Sequence, residues 1–357
     1  MIKKLITSIV LLNTFFITYA QKPQEPKDIS SYHSEEISFE NKTDNIKLTG
    51  TFTYPKNKRN APAVILISGS GPQDRNSELL GHKPFLIISD DLTKKGIAVL
   101  RVDDRGTGTS EGIYNQTGLD GFVRDTKSAI DYLKSRKEVN TAKIGLIGHS
   151  LGGVIAPVIA AESKDVAFMV LLAGSGIRGD KLMLLQKEII ERKMGLDSQS
   201  IAVGQKNIGG AYEIILKSDA TPTEKLATDL ETYFSETFGS ALPPNQIKNL
   251  SKQLSVPWLA DFIRYDPAKK LSLVKCPVLA LNGSNDTQVP AKQNLDAIAV
   301  NIEKSGNKNV TVMELPALNH LFQESETGMP QEYAKIQQTF SPKALTVIAD
   351  WIIKTTE

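Results

Sequence analysis

Lys143-Ile144-Gly145-Leu146-Ile147-Gly148-His149-Ser150-Leu151-Gly152-Gly153 is the stretch whose reading decides the fold. Residues 144–147 form a short apolar run, residues 154–161 have the composition of a buried helix, and between them Gly148 and Gly152 stand two positions either side of a serine. This predicts strand, sharp turn, helix, with Ser150 at the apex. A turn that lifts a serine hydroxyl clear of a sheet brings the flanking backbone almost into contact, which only very small residues at those two positions allow. A glycine-rich loop whose serine merely caps the helix has the same local pattern. The two readings are told apart by whether a base and an acid follow downstream in the right places.

A length of 357 residues admits one large α/β domain or two small ones. Hydrophobic residues at 40%, charged residues at 23% and a net charge of +2 describe an ordinary globular chain without the basic excess that nucleic-acid binding needs. No nucleic-acid partner is expected. The first twenty residues are different in kind. Lys3 and Lys4 are followed by the nearly uncharged residues 5–17, and Ala20 precedes polar Gln21. The pattern predicts a secretory signal peptide over 1–20, cleaved after Ala20, and hence a secreted or periplasmic protein. A membrane span needs about 20 apolar residues, whereas this run is shorter and broken by Thr7, Ser8 and Asn13, so no stable membrane anchor is expected after cleavage. Cys276 is the one cysteine. It has no disulfide partner, lies far from the cleavage site, and reads as a small buried hydrophobe. Residues 21–34, rich in Pro, Lys, Glu and Ser, read as a loose leader.

Residues 36–39 and 46–54 alternate apolar and polar positions, which predicts a hairpin of half-exposed strands at one sheet edge. Residues 63–67 are continuously apolar, the mark of a strand covered on both faces, and they run into Ser68-Gly69-Ser70-Gly71, where side chains are small and backbone N–H groups exposed. A helix over 84–95, a strand over 98–102, the loop from Asp103 to Ser110, a helix over 118–136, the serine unit and a strand over 166–172 follow. Such alternation predicts an α/β protein with a mainly parallel, doubly wound sheet. Over 179–270 it stops. Residues 182–194, 201–217, 222–238, 244–254 and 258–265 all read as helices, best placed as an all-helical lid over the C-terminal edge of the sheet. Strand 278–281, helix 291–302, strand 310–315 and helix 342–353 resume the pattern. The α/β core therefore divides into residues 35–178 and 271–357, with the inserted lid between.

In parallel-sheet hydrolases the acid follows the penultimate strand and the histidine follows the last. Asp286 stands at the first of these places and His320 at the second. The chain has four histidines. His33 falls in the leader and reads as solvated. His149, beside Ser150, is expected to point away as a structural neighbour, and His82 borders the loop after the third strand. His320 is thus the candidate base. Among carboxylates, Asp261, Asp266 and Asp296 read as solvated or ion-paired, and Asp103 and Asp104 as holding Arg105 and the neighbouring loop. A serine hydroxyl becomes a nucleophile when a neutral imidazole accepts its proton, and a buried carboxylate fixes that imidazole's tautomer. Ser150, His320 and Asp286 fit these roles. The oxyanion needs two N–H donors. Leu151 is the natural first, and Ser70 is the choice for the second.

Together these motifs resemble the α/β-hydrolase family, from about Ile46 to the C-terminus with the lid interrupting. They comprise Gly148-His149-Ser150-Leu151-Gly152, the Asp104–Ser110 loop, Gly283-Ser284-Asn285-Asp286-Thr287-Gln288-Val289-Pro290 and Asn319-His320. Within the family the chain is similar to secreted bacterial carboxylesterases and the serine-aminopeptidase-like branch. Many relatives have His-Gly where Ser68-Gly69 stands, and glycine where Asn319 stands. The resemblance implies an α/β-hydrolase fold and a serine hydrolase acting on small to medium carboxylic esters, a small-molecule substrate, with no cofactor and no metal. Aminopeptidase action, with Glu231 or Glu236 holding a substrate ammonium, is an alternative; acyl transfer is another, and a non-catalytic binding module a fourth. Tyr212, Tyr233, Phe234, Phe238, Trp258, Phe262 and Tyr265 either wall an acyl pocket or form ordinary core. The sequence does not specify oligomeric state.

Overall fold

The computed structural model describes residues 24–218 and 224–357. The signal-peptide reading of residues 1–20 lies outside the described residues. No helix among the described residues is long and apolar enough to cross a membrane. The chain divides into two compact units, one built from Asn115–Leu119 with Arg178–Asp266, the other from residues 24–114, Asp120–Ile177 and Pro267–Glu357.

The larger unit contains one eight-stranded sheet. Its strands are β1 (Tyr32–Asn41), β2 (Ile46–Pro55), β3 (Ala61–Ile67), β4 (Ala98–Val102), β5 (Val139–His149), β6 (Phe168–Leu172), β7 (Val278–Gly283) and β8 (Val310–Leu315). They lie in the order β1-β2-β4-β3-β5-β6-β7-β8. β1 and β2 form an antiparallel hairpin, β2 is antiparallel to β4, and every later pairing is parallel. The burial of each strand follows its composition. β3, β6 and β7 are buried along their whole length, as continuous apolar runs covered on both faces must be. β1, at the edge, alternates between half-buried and exposed.

Helices α1 (Pro84–Lys94), α2 (Leu119–Lys134) and α3 (Gly152–Glu162) connect the first parallel strands, and α9 (Pro267–Leu271), α10 (Ala291–Glu303) and α11 (Pro342–Thr356) belong to the last part of the chain. The register matters for function. Ile67 of β3 pairs with Gly148 of β5, His149 with Leu172 of β6, and Gly283 of β7 with Leu315 of β8. The loops that follow these strands leave from one edge of the sheet, the edge at which open α/β sheets bind ligands.

One expectation is corrected at the N-terminus. The composition places a loose leader over residues 21–34, yet β1 begins at Tyr32 and His33 lies in it, exposed, opposite Tyr54 with ring centroids 4.8 Å apart. Gln24 is tied down as well: its Oε1 accepts from the Thr339 and Phe340 N–H groups and its Nε2 donates to the Phe340 carbonyl. The polar composition concealed a strand because the partner that recruits it, β2, is ten residues long and pairs over its full length.

The second unit is helical: α4 (Gly179–Lys193), α5 (Ser198–Lys217), α6 (Glu224–Phe238), α7 (Pro244–Leu254) and α8 (Pro257–Arg264). Ile208, Tyr212, Leu230, Phe234, Ile247 and Ile263 are among the residues of its own core, with Tyr233 and Phe238 packed against it. Four of the aromatic side chains weighed as pocket walls are thus core or core-flanking residues.

Candidate active site

Ser150 sits one residue beyond β5 with φ at +53°, in the left-handed region that side chains other than glycine avoid. The surrounding contacts hold it there. Its N–H donates to the Leu172 carbonyl at 2.9 Å, continuing the β5–β6 ladder by one rung, and its carbonyl accepts from Gly153 at 2.9 Å as α3 begins. A methyl group at Gly148 would run into the Gly152 carbonyl, and one at Gly152 into the carbonyl of Ile67 at the end of β3. The glycine spacing is therefore a consequence of three backbone segments in contact.

Asp286 lies in the loop after β7 and His320 in the loop after β8, and the structure brings them together. His320 Nδ1 is 2.8 Å from Asp286 Oδ2, with side-chain exposures of 5% and 0%. Asp286 Oδ1 accepts from the Gln288 and Val289 N–H groups at 2.8 and 2.9 Å, which fixes the carboxylate plane. A carboxylate accepts, so Nδ1 carries hydrogen and Nε2 offers a lone pair. Further bonds clip the two loops to each other: Asn285 Nδ2 donates to the Ser325 carbonyl at 2.7 Å, and Ala317 N–H to Ser284 Oγ at 2.8 Å. Asn319, which replaces a common glycine, folds the turn carrying His320; its Oδ1 accepts from Leu321 and Gln323 N–H at 2.9 and 3.0 Å. Among the described residues the Ser150 hydroxyl is paired with no acceptor, an arrangement that tightens only in substrate complexes of many enzymes.

Neither the Leu151 nor the Ser70 backbone N–H is engaged among the described residues. Gly69 brings the loop after β3 against the serine, since a Cβ at that position would lie 3.4 Å from Ser150 Cβ. Asp104 clips this loop at both ends. Its Oδ1 accepts from Ser68 Oγ at 2.6 Å and its Oδ2 from Gln73 N–H at 2.9 Å, while its own N–H donates to the Gln73 carbonyl at 3.0 Å.

Other candidates are placed elsewhere. His82 is buried, with Nδ1 3.0 Å from Thr339 Oγ1 and Nε2 2.9 Å from the Tyr333 carbonyl, so both ring nitrogens are occupied. Asp261 pairs with Arg264 in the helical unit and Asp296 with Lys292. The expectation that Asp103 and Asp104 hold Arg105 is corrected: Asp103 grips Arg75, and Arg105 pairs with Asp44 and Asp125. The expectation that His149 points away is corrected too. Its Nε2 lies 2.9 Å from the His320 carbonyl oxygen. Among the described residues no group of three or more His, Cys, Asp or Glu side chains is placed to hold a metal ion.

Burial pushes the Asp104 carboxyl up to about 7, with Asp125 and Asp103 adding to the rise against the two hydrogen bonds it accepts. Asp104 borders a cavity of about 50 Å³ lined by Leu48, Ile65, Phe122 and Ile155 together with Asp103, Arg105 and Asp125. In the unfolded chain this group releases its proton near 4. Between about 4 and about 7 the folded state therefore holds a proton that the unfolded state has lost. The contribution of Asp104 to stability falls as pH rises through that window and levels off above it. Asp104→Asn keeps an oxygen for Gln73 N–H and offers an amide donor to Ser68 Oγ, so it is expected to flatten this window. Each kcal/mol recovered at pH 8 raises the melting temperature by about 2–4 °C. Melting curves of wild type and Asp104→Asn at pH 5 and pH 8 check it; a variant whose loss between the two pH values equals that of the wild type contradicts it.

Comparison with known proteins follows the same lines. Residues 85–325 match a family model described as Serine aminopeptidase, S33. Esterase EstD of Thermotoga maritima is 28% identical over 321 residues, covering 89% of this chain and 68% of that protein. A putative hydrolase of Bacillus subtilis, YtaP, is 35% identical over 163 residues, 41% of this chain and 54% of its own. Among solved structures, a Pyrococcus furiosus esterase superposes with a TM-score of 0.53 at 17% identity, covering 91% of this chain and 92% of that one. The last likeness is one of fold. The family match covers more than half of the chain, and with the eight-stranded sheet it leads to one conclusion: this chain belongs to the serine aminopeptidase S33 family of hydrolases and has the α/β-hydrolase fold.

Proposed function

We propose that this hydrolase cleaves carboxylic esters of small to medium acyl groups through an acyl-enzyme formed on Ser150. The observation that carries the reading is the buried pair of Asp286 and His320, 2.8 Å apart, on loops leaving the same sheet edge as the strained serine turn. In the first half-reaction Ser150 Oγ bonds to the ester carbonyl carbon while His320 Nε2 takes the hydroxyl proton. Asp286 stabilises the imidazolium, and the N–H groups of Leu151 and Ser70 receive the oxyanion. The carbon–oxygen bond to the alcohol then breaks, and His320 returns the proton to the departing alkoxide. Water repeats the sequence on the acyl-enzyme and releases the acid. Loss of one oxyanion donor typically costs about 3 kcal/mol of transition-state stabilisation. The name of the relative matched over 89% of this chain, Esterase EstD, supports an ester in preference to an amide.

The family description supports aminopeptidase action as a second reading. Its structural support is slight: Glu231 and Glu236 border a surface depression with Thr228, Thr232 and Ser235, all on α6. One experiment separates the readings. A fluorophosphonate probe is expected to label Ser150, and the same preparation to hydrolyse p-nitrophenyl butyrate faster than proline p-nitroanilide. Faster anilide cleavage establishes the peptidase, and transfer of the acyl group to added alcohols in preference to water an acyltransferase. Absence of both labelling and turnover defeats the assignment.

A further inference from the structure

His149 closes β5, and its ring makes three contacts at once. Nε2 is 2.9 Å from the backbone carbonyl oxygen of His320. The ring centroid is 4.9 Å from that of the His320 imidazole, with the planes inclined at 46°. On its other side Nδ1 faces Gly69, where a Cβ would lie 3.4 Å from it and 3.4 Å from Ser150 Cβ. His149 is wedged between the loop after β3 and the loop after β8, and it is bonded in sequence to Ser150.

The chemistry of these contacts fixes its state. A carbonyl oxygen only accepts, so the hydrogen of His149 sits on Nε2. The charged form is disfavoured chiefly by burial, and further by His320 beside it, which together push the ring down to about 4; Asp286 is the one carboxylate acting the other way. Near neutral pH His149 is an uncharged donor. A charged ring in its place would oppose the imidazolium that His320 must become.

We propose that His149 is a positioning residue for the reaction assigned to Ser150 and His320: its Nε2–H holds the His320 peptide and, through it, the imidazole. The inference rests on the reading under Proposed function. Asp286 holds the His320 ring at Nδ1, and its other attachment is the covalent one to the His320 backbone, so a shift of that backbone shifts the ring. Anchoring the peptide carbonyl removes that backbone freedom. A misplacement of about 1 Å in such a site costs on the order of a hundredfold in rate.

His149→Phe keeps a ring and loses the donor; His149→Gln loses the ring and keeps an amide N–H near the position of Nε2. His149→Phe is expected to lower kcat on p-nitrophenyl butyrate by about ten- to a hundredfold, with KM and melting temperature nearly unchanged, and His149→Gln to recover most of kcat. Should His149→Phe fail to fold, His149→Met serves as the variant without a donor. Wild-type kcat in a folded variant lacking the donor overturns the proposal, as does an equal loss in His149→Gln and His149→Phe. Wild-type enzyme is assayed and labelled with fluorophosphonate alongside. If it neither turns over nor labels, the assignment of Ser150 falls, and the positioning role with it; if it does both while His149→Phe matches it, only the His149 inference falls.

Discussion

Ser150→Ala is expected to lower ester turnover by about 10⁶-fold, the loss found when the nucleophile of a serine hydrolase is removed, and to leave the melting temperature almost unmoved. The second half of that expectation follows from how the residue is held. Its backbone bonds, to Leu172 and from Gly153, survive the substitution, and alanine meets the same steric penalty as serine at φ of +53°. The hydroxyl itself has no acceptor among the described residues, so its removal strands no partner. The loss is then chemical and not structural. Any residual hydrolysis measures what the proposed oxyanion donors, the Leu151 and Ser70 N–H groups, do without a nucleophile, a remnant of about 10³–10⁴ over the reaction in water. Steady-state assays and a thermal melt on the same preparation check both halves. Turnover within tenfold of wild type would place the nucleophile elsewhere in the chain.

The serine turn was legible in the sequence because its requirement is local: two glycines, each four residues from the other, between a strand and a helix. Asp286 and His320 were legible for a topological reason, since parallel strands deliver successive loops to one edge and few histidines compete for the place. What stayed hidden depended on partners far along the chain. Arg105 looked bound to its neighbours Asp103 and Asp104, but adjacent residues project in different directions, and its real partners lie 61 and 20 residues away. The contact of His149 was hidden because its partner, the His320 carbonyl, lies 171 residues along the chain. Tyr32 to Ser34 look like tail by composition and become strand only because β2 is long enough to pair with them. The role of Asn319 was hidden because it lies in side-chain bonds within its own turn, where its Oδ1 accepts from the Leu321 and Gln323 N–H groups.

Asp286→Asn is expected to reduce kcat by about 10⁴-fold, the cost of the same change in a serine protease, with the fold retained. Asparagine keeps an oxygen where Gln288 and Val289 direct their N–H groups, so these two bonds, at 2.8 and 2.9 Å, orient the amide as they orient the carboxylate. The NH₂ group is then left facing His320 Nδ1, 2.8 Å from the present position of Oδ2. Two donors cannot share a hydrogen bond. The imidazole answers by moving its hydrogen to Nε2, the atom that must accept the proton of Ser150, and the neutral base is lost although every atom stays in place. The imidazolium also loses its counter-charge. Asp286→Ala separates this effect from packing, because it also removes the acceptor of the half-buried Gln288 and the buried Val289 N–H groups, and a buried donor left unpaired costs about 1–3 kcal/mol. Alanine should therefore lose both rate and melting temperature, and asparagine rate alone. Substrate affinity stays near wild type in the asparagine variant, because the tautomer matters only when the proton moves. Near wild-type kcat in Asp286→Asn would mean that another group orients His320, whereas an equal fall in the melting temperature of both variants would mean that Asp286 holds up the loop and does nothing for the base.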